Sequence, residues 1–298
     1  MQTTEIIWFN GNFIPWEKAQ THVLTHALHY GTGVFEGIRV YDTARGPAIF
    51  HLDKHVERFC YSAKTLAMKL PYSMEQIKQA IIDTVRKNKV RACYIRPIAY
   101  YEYQELKVLP IKCPIGVAIA VWPWGAYLSE GSVRIKIIED IPLSKRGKLT
   151  SAKITGHYNN LMYAAHQAVS SGYHEALLLD TAGNIAEGPG ENFFMVKDGV
   201  IITPELGYIL PGITRATIIK IAQNLSFSVI ERKINRKEVF AADECFFTGT
   251  AAEVTPIGSI DDRQIKESFG PVTKKIKDIF NLIIRGENAQ YDTWLTYV

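Results

Sequence analysis

The sequence predicts an α+β protein in two domains, and three observations carry that expectation. Helix-like and strand-like runs occur together within the first 122 residues or so, which read as one α+β unit. "PWGAYLSEG" (123–131) is punctuated by proline and glycine and reads as a linker. A chain of 298 residues suits one large domain or two ordinary ones. The expected division is therefore a small domain over 1–122, a linker over 123–131 and a larger domain over 132–298.

The elements follow in order. "IIWFNGNFIPW" (6–16) sets two apolar runs around Asn10-Gly11, a hairpin signal. "GVFEGIRVYD", "TARG" and "PAIFHL" read as strand, turn and strand, after which Asp53 is expected to cap a helix running to about Met68. Ser73 to Gln76 has capping-box form and opens a second helix. Strands follow at 92–101 and 116–124. In the second half, "VRIKIIED" (133–140) reads as a strand. Leu161, Ala164, Ala165 and Ala168 fall at helical spacing. "EALLLD", "ENFFMV" and "VIITP" are expected to form a meander. A helix (214–225), two strands (227–234 and 244–250) and a closing helix (271–286) complete the reading.

Composition narrows the function classes. The apolar fraction of 47% and charged fraction of 21% fit a globular chain, and the net charge is only +4. The basic runs lie on or beside helical patterns and lack interleaved aromatics, so they read as solvated faces rather than a nucleic-acid surface. Cysteines 60, 93, 113 and 245 are scattered and have no metal-ligand spacing. Reduced thiols in the cytoplasm, with no metal site, are expected. The N-terminus has no signal-peptide form, and the longest apolar stretch, 115–124, is too short to span a bilayer.

Chemistry concentrates in a few places. Lys153 stands alone among small, hydroxyl and amide residues in "TSAKITGHYNN" (150–160). A desolvated lysine has a lowered pKa and supplies the free amine that Schiff-base chemistry needs, although a lone lysine more often snorkels to water. "NIAEGPGENFF" places Glu187 and Glu191 around a Gly-Pro-Gly turn, where a carboxylate could pair with a protonated ring nitrogen. "LPGIT" puts Gly212 before a helix whose first turn carries Thr214, a candidate anion site. "TGTAAE" could form a second amide nest at Thr250, and Arg58 could reach a phosphate. Singly, each reads as ordinary structure. Jointly, they supply what pyridoxal 5'-phosphate requires: an amine for its aldehyde, a carboxylate for its ring nitrogen and anion sites for its phosphate.

The ordered set "WFNGNFIPWEKAQTHVLTHALHYGTGVFEGIRVYD", "YIRP", "WPWGAYL", "SAKITGHYNN", "EGPGENFF", "LPGITR" and "GTAAEVTPI" resembles the branched-chain amino acid aminotransferases, which are fold-type IV pyridoxal phosphate enzymes. The resemblance implies that Lys153 is the Schiff-base lysine and later moves protons, that Glu187 pairs with the pyridine nitrogen, and that Tyr158 bonds the phenolic oxygen. It assigns Arg58, Ile213, Thr214 and Thr250 to the phosphate, with Asn192, Leu210 and Gly212 also at the cofactor. Tyr94 and the amides of Thr250 and Ala251 would meet the substrate carboxylate, with Ala252 and Arg39 nearby. Phe35, Gly37, Tyr30, Arg96 and Tyr127 match positions lining the side-chain pocket, Tyr30 reaching it from the neighbouring subunit of a homodimer or higher oligomer.

Such a pocket must accept leucine, isoleucine or valine, and also glutamate, whose γ-carboxylate Arg96 with Tyr30 and Tyr127 could take. Arg96 is expected to stay hydrated or hydrogen-bonded when an aliphatic substrate is bound. The D-amino acid aminotransferases and aminodeoxychorismate lyases share the fold, but "YIRPI" and "GTAA" point away from both. A non-catalytic cofactor-binding scaffold is the alternative from another class. The 101–114 loop, with Glu102 and Glu105, departs from the glycine-rich character often seen in the family.

Overall fold

The computed structural model describes residues 2–125 and 131–298. They form two compact units: unit 1 takes in 2–125, 152–157 and 283–298, and unit 2 takes in 131–151 and 158–282. A single cut at 123–131 does not anticipate these two later returns of the chain to unit 1.

In unit 1, β1 (Ile6–Phe9) and β2 (Asn12–Pro15) form the expected hairpin. Asn10 and Gly11 turn it with φ of 46° and 88°, the left-handed pair such turns require. After α1 (His26–Tyr30) come β3 (Gly33–Phe35), β4 (Ile38–Thr43) and β5 (Gly46–Phe50). Helix α2 (Leu52–Thr65) is entered through left-handed His51, so Asp53 lies in the first turn and is not the cap. Ser73 does cap α3 (Met74–Lys87), in a complete capping box with Gln76. Strands β6 (Cys93–Tyr101) and β7 (Ile115–Trp122) form the middle of the sheet. Val56 and Phe59 of α2 and Ile77 and Ile81 of α3 join Ile95, Val117 and Ile119 in one buried core.

Unit 2 begins with β8 (Val133–Leu143), α4 (Lys148–Ser151), α5 (Tyr158–Ser170), β9 (Glu175–Asp180) and β10 (Asn184–Ile185). It continues through β11 (Asn192–Lys197), β12 (Val200–Thr203), α6 (Ile213–Asn224), β13 (Val229–Glu231) and β14 (Ile234–Asn235). It ends with β15 (Glu244–Gly249), β16 (Glu253–Ile260), β17 (Arg263–Gln264) and α7 (Pro271–Ile284). The sheet order is β13-β12-β11-β15-β16-β8-β9-β10-β14, with β17 on β16. The expected meander is therefore wrong in part. β9 runs parallel to β8, whereas β11 pairs with β12 and β15. Every residue of β9 is buried, which fits a strand covered on both faces. The run 227–234 is two short strands, β13 and β14, and β16 is an unanticipated partner of β15. Ala164 and Ala168 of α5 pack on Ile138, Ala176 and Leu178.

The last strand, β18 (Leu295–Tyr297), was not expected either. It pairs antiparallel with β5 at the edge of the unit 1 sheet. No helix among the described residues is long and apolar enough to cross a membrane.

Candidate active site

In unit 1 the functional residues gather around Lys153. Its flanking residues Ala152 and Ile154 are in the core, and its backbone is held on both sides. The Lys153 N–H donates to Ser62 Oγ at 2.9 Å, and its carbonyl accepts from Phe35 N–H at 3.1 Å. The side chain is half-buried, with Nζ 4.9 Å from the Phe35 ring centre. Desolvation, aided by the Arg58 and Arg96 charges and opposed by Glu36 and Tyr94, lowers its pKa to about 8. A useful fraction of free amine is then present near neutral pH. The lone lysine does not snorkel freely to water.

One face of α2 supplies His55, Arg58 and Ser62, spaced three and four residues apart. Arg58 Nε and Nη2 donate to the two oxygens of Glu36 at 2.6 and 2.9 Å. His55 Nδ1 lies 2.6 Å from Glu36 Oε2. Burial pushes the Glu36 carboxyl up, but the charges and hydrogen bonds of Arg58 and His55 together hold it well below the usual carboxylate range. Desolvation pulls His55 down, with Glu36 opposing and the Arg58 and Lys153 charges assisting. Glu36 and His55 were not among the expected site residues. The signal was an acid inside the apolar stretch "GVFEGI".

The expected pocket residues sit on β3, β4 and β6. The Arg96 guanidinium stacks over Phe35, Tyr94 and Trp122 at 4.8, 5.4 and 5.8 Å from the ring centres. Its Nε has no hydrogen-bond partner, so aromatic faces rather than hydrogen bonds support this cation. Gly37 is needed for Tyr94: a Cβ there would lie 1.8 Å from the Tyr94 hydroxyl. Tyr94 also packs on Trp122 and Trp124, whose part in this wall was not foreseen. Arg39, the cross-strand partner of Tyr94, donates to Gly125 O at 3.3 Å. Tyr30 is exposed and donates to Leu106 O at 2.9 Å, within the 101–114 loop. Tyr127 lies outside the described residues.

In unit 2 the matching feature is Glu187. Its carboxylate accepts from Leu210 N–H at 3.1 and 3.2 Å and from Asn192 Nδ2 at 2.9 Å. Asn192 Nδ2 also donates to the Leu210 carbonyl at 3.0 Å. Leu210 therefore spends both backbone groups on this network. Gly212, the N-cap of α6, provides no side-chain cap, and a Cβ there would meet Asn192 Oδ1 at 1.9 Å. Glycine thus lets the α6 N-terminus approach the carboxylate network, with Ile213 and Thr214 in the first turn. Glu191 turns back to accept from Gly190 N–H at 3.1 Å. Thr250, Ala251 and Ala252 form the tight hairpin tip between β15 and β16, rather than a loop exit. Adding a Cβ at Gly249 would put it 3.0 Å from Gly190 O, so this tip lies against the Gly-Pro-Gly turn. Tyr158 opens α5, half-buried.

Residues 33–260 match the amino-transferase class IV family. The chain is 43% identical to the branched-chain-amino-acid aminotransferase of Pseudomonas aeruginosa, over 98% of this chain and 97% of that protein. The chain belongs to the branched-chain aminotransferase family. The solved T.th. branched-chain amino acid aminotransferase complexed with N-(5'-phosphopyridoxyl)-L-glutamate has a TM-score of 0.95 at 45% identity, covering 100% of this chain and 99% of that one. The Escherichia coli branched-chain amino acid aminotransferase structure scores 0.95 at 40% identity, with 98% of each chain covered. This branched-chain aminotransferase therefore matches its relatives nearly end to end.

Proposed function

We propose that the protein is a pyridoxal 5'-phosphate-dependent aminotransferase. It moves the amino group of L-leucine, L-isoleucine or L-valine to 2-oxoglutarate by a ping-pong mechanism, giving branched-chain 2-oxo acids and L-glutamate. The observation that carries the reading is the desolvated amine of Lys153, lowered to about 8 and held by its backbone in the unit 1 core. Each unit carries donors that the cofactor would need: Lys153 for its aldehyde and Arg58 for its phosphate in unit 1, and Glu187 for its ring nitrogen and Thr250 and the first-turn amides of α6 for its phosphate in unit 2. When bound, pyridoxal phosphate supplies an aldehyde and a ring that accepts the electrons left when a substrate Cα–H bond breaks.

The chain's own residues then have defined tasks. Lys153 Nζ would hold the cofactor through its aldehyde, with loss of water, and its free amine would take and return the Cα proton. Glu187 accepts from Asn192 Nδ2 and Leu210 N–H, which favour its carboxylate form as a partner for a ring nitrogen. Phe35, Tyr94 and Trp122 form an apolar wall for an aliphatic side chain, and Arg96, stacked on all three, can meet a γ-carboxylate. One pocket can thus serve both substrate types without moving a charge into bare hydrocarbon.

The same reading includes a homodimer in the cytoplasm. Val23, Leu28, Tyr30, Val108, Leu109 and Ile111 are large, apolar and exposed. Their two segments touch through His26 and Tyr30, which bond Lys107 O and Leu106 O. A patch of this kind favours burial against a second copy. Cys60, Cys93, Cys113 and Cys245 are all free, which suits a reducing compartment.

A panel of L- and D-amino acids with 2-oxoglutarate as acceptor tests the activity. Turnover should be confined to the L-forms and highest with the branched aliphatics. Preference for D-substrates, or no turnover with cofactor bound, would sink it. Borohydride reduction followed by peptide mapping should label Lys153 and no other lysine.

A further inference from the structure

We infer that unit 2 carries a binding cleft, apart from the residues assigned to the cofactor, for a small anion bearing two or more charges. The cleft is an open space of about 600 Å³ lined by Arg236, Lys237, Phe240, Asp261 and Arg263. That volume lies in the range of small-molecule sites. Two turns of the chain form it. One leads from β14 into a single turn of 3-10 helix (Glu238–Ala241), and the other joins β16 to β17. The basic run 231–238 is therefore not a solvated helix face. It bends around a concavity to which β17 adds a further arginine.

The charges around this cleft do not balance. Asp261 Oδ1 accepts the Ile137 N–H at 2.9 Å, and its Oδ2 lies 3.6 Å from Arg236 Nη2. Arg236 Nη1 also meets Glu139 at 2.5 Å. Glu238 is taken by Arg232, and Asp262 engages the Tyr173 hydroxyl. The nearby acids are thus committed. Lys237 and Arg263 form no ion pair among the described residues. Two like charges sharing one concavity repel each other, and a bound anion relieves that repulsion. Arg263 is also arranged for such a guest. Its guanidinium lies over the Phe240 ring at 4.4 Å from the centre, and Phe240 packs on the buried core of unit 2. An arginine lying flat on a ring keeps its planar N–H edge for a carboxylate or phosphate, and less rotamer freedom remains to be lost. Lys237 adds a point charge from a backbone held by Asn235 Oδ1 at 2.9 Å. A planar fork beside a point charge suits a diphosphate or a polycarboxylate better than a singly charged ion.

The test is isothermal titration of protein saturated with pyridoxal phosphate, with pyrophosphate and, separately, with citrate, at about 0.1 M salt. Saturable binding of either anion is expected. Pyrophosphate alone would mark the guest as phosphate-bearing, and citrate alone would mark it as a polycarboxylate. Lys237→Gln and Arg263→Gln should each weaken binding by about three- to fivefold, the scale of one exposed charge pair. The double variant should lose roughly tenfold or more. A control, Lys266→Gln with Lys274→Gln, removes two positive charges that pair with Asp243 and Asp278 away from the cleft, and should bind within about twofold of native. No saturable binding of either anion overturns the inference. So does native affinity in the double variant, or an equal loss in the control, which would make net charge the cause. If Arg263→Gln does not fold, Lys237→Gln against the same control decides it, because the Lys237 side chain is exposed.

Discussion

Glu36 in unit 1 and Glu187 in unit 2 are acids of the same length with opposite company. Glu36 receives a guanidinium and an imidazole. Glu187 receives a backbone N–H and the amide of Asn192. Held by its guanidinium and imidazole partners, Glu36 is fixed in place, and its charge still opposes the desolvation that lowers Lys153. Amides favour the charged form of Glu187 without themselves being cations. The comparison teaches that partners, not residue type, decide how a carboxylate is kept charged.

The largest effect should come from the lysine beside the first acid. Lys153→Ala is expected to lose turnover by about a thousandfold or more, since it removes both the nucleophile and the proton carrier. Steady-state rates with leucine and 2-oxoglutarate check this, and a variant within tenfold of native would break the assignment. Next comes the second acid. Glu187→Gln keeps the shape but removes the charge, and should slow the half-reaction by about 10- to 150-fold, the equivalent of ~1.5–3 kcal/mol. Stopped-flow measurement with leucine resolves it; an unchanged rate would mean that its amide-supported charge does nothing.

A smaller effect tests the amide support itself. Gly212→Ala forces a Cβ against Asn192 Oδ1, now 1.9 Å from where it would sit, and should turn Asn192 off Glu187. Leu210 N–H still donates to the carboxylate, so the loss should be a few-fold in the same half-reaction. A similar Gly131→Ala change, where a Cβ would meet nothing within 4 Å, is the control for handling.

The smallest effect is a displacement in pH. With Lys153 near 8, its reaction with an amine reagent should rise through about pH 8, below the range of ordinary lysines. The sign for stability follows. Its folded pKa lies below the unfolded value of 10.5, so the unfolded chain binds more protons between the two, and stability should rise with pH across that window. Denaturant midpoints at pH 8 and pH 10, for native protein and Lys153→Ala, isolate this contribution.

Local chemistry was legible from the chain, and long-range chemistry was not. The Asn10-Gly11 hairpin and the Ser73 capping box need only neighbours, and both stand in the structure. Lys153 and Glu187 were visible because each is a charge among small residues. Asp53 was misleading because a short acid before a helix looks like a cap, while left-handed His51 already makes the entry. The Glu36–His55–Arg58 cluster stayed hidden because Glu36 lies 19 and 22 residues from its two partners on α2. The same holds for β9, whose parallel partner β8 is separated from it by a helix.

The strand β18 has a bearing on how the chain is made. Leu295, Thr296 and Tyr297 pair with Phe50, Ile49 and Ala48, so a sheet whose other strands are made early is completed by one made much later. Residues 152–157, which carry the lysine, join the same unit midway. Until β18 is made, β5 presents a bare, pairing-competent edge, and the contacts that cover it have a very long loop to close. Nascent chains stalled before residue 295 are therefore the aggregation-prone species, and a truncation of only the last four residues should cost soluble yield far out of proportion to the surface it removes.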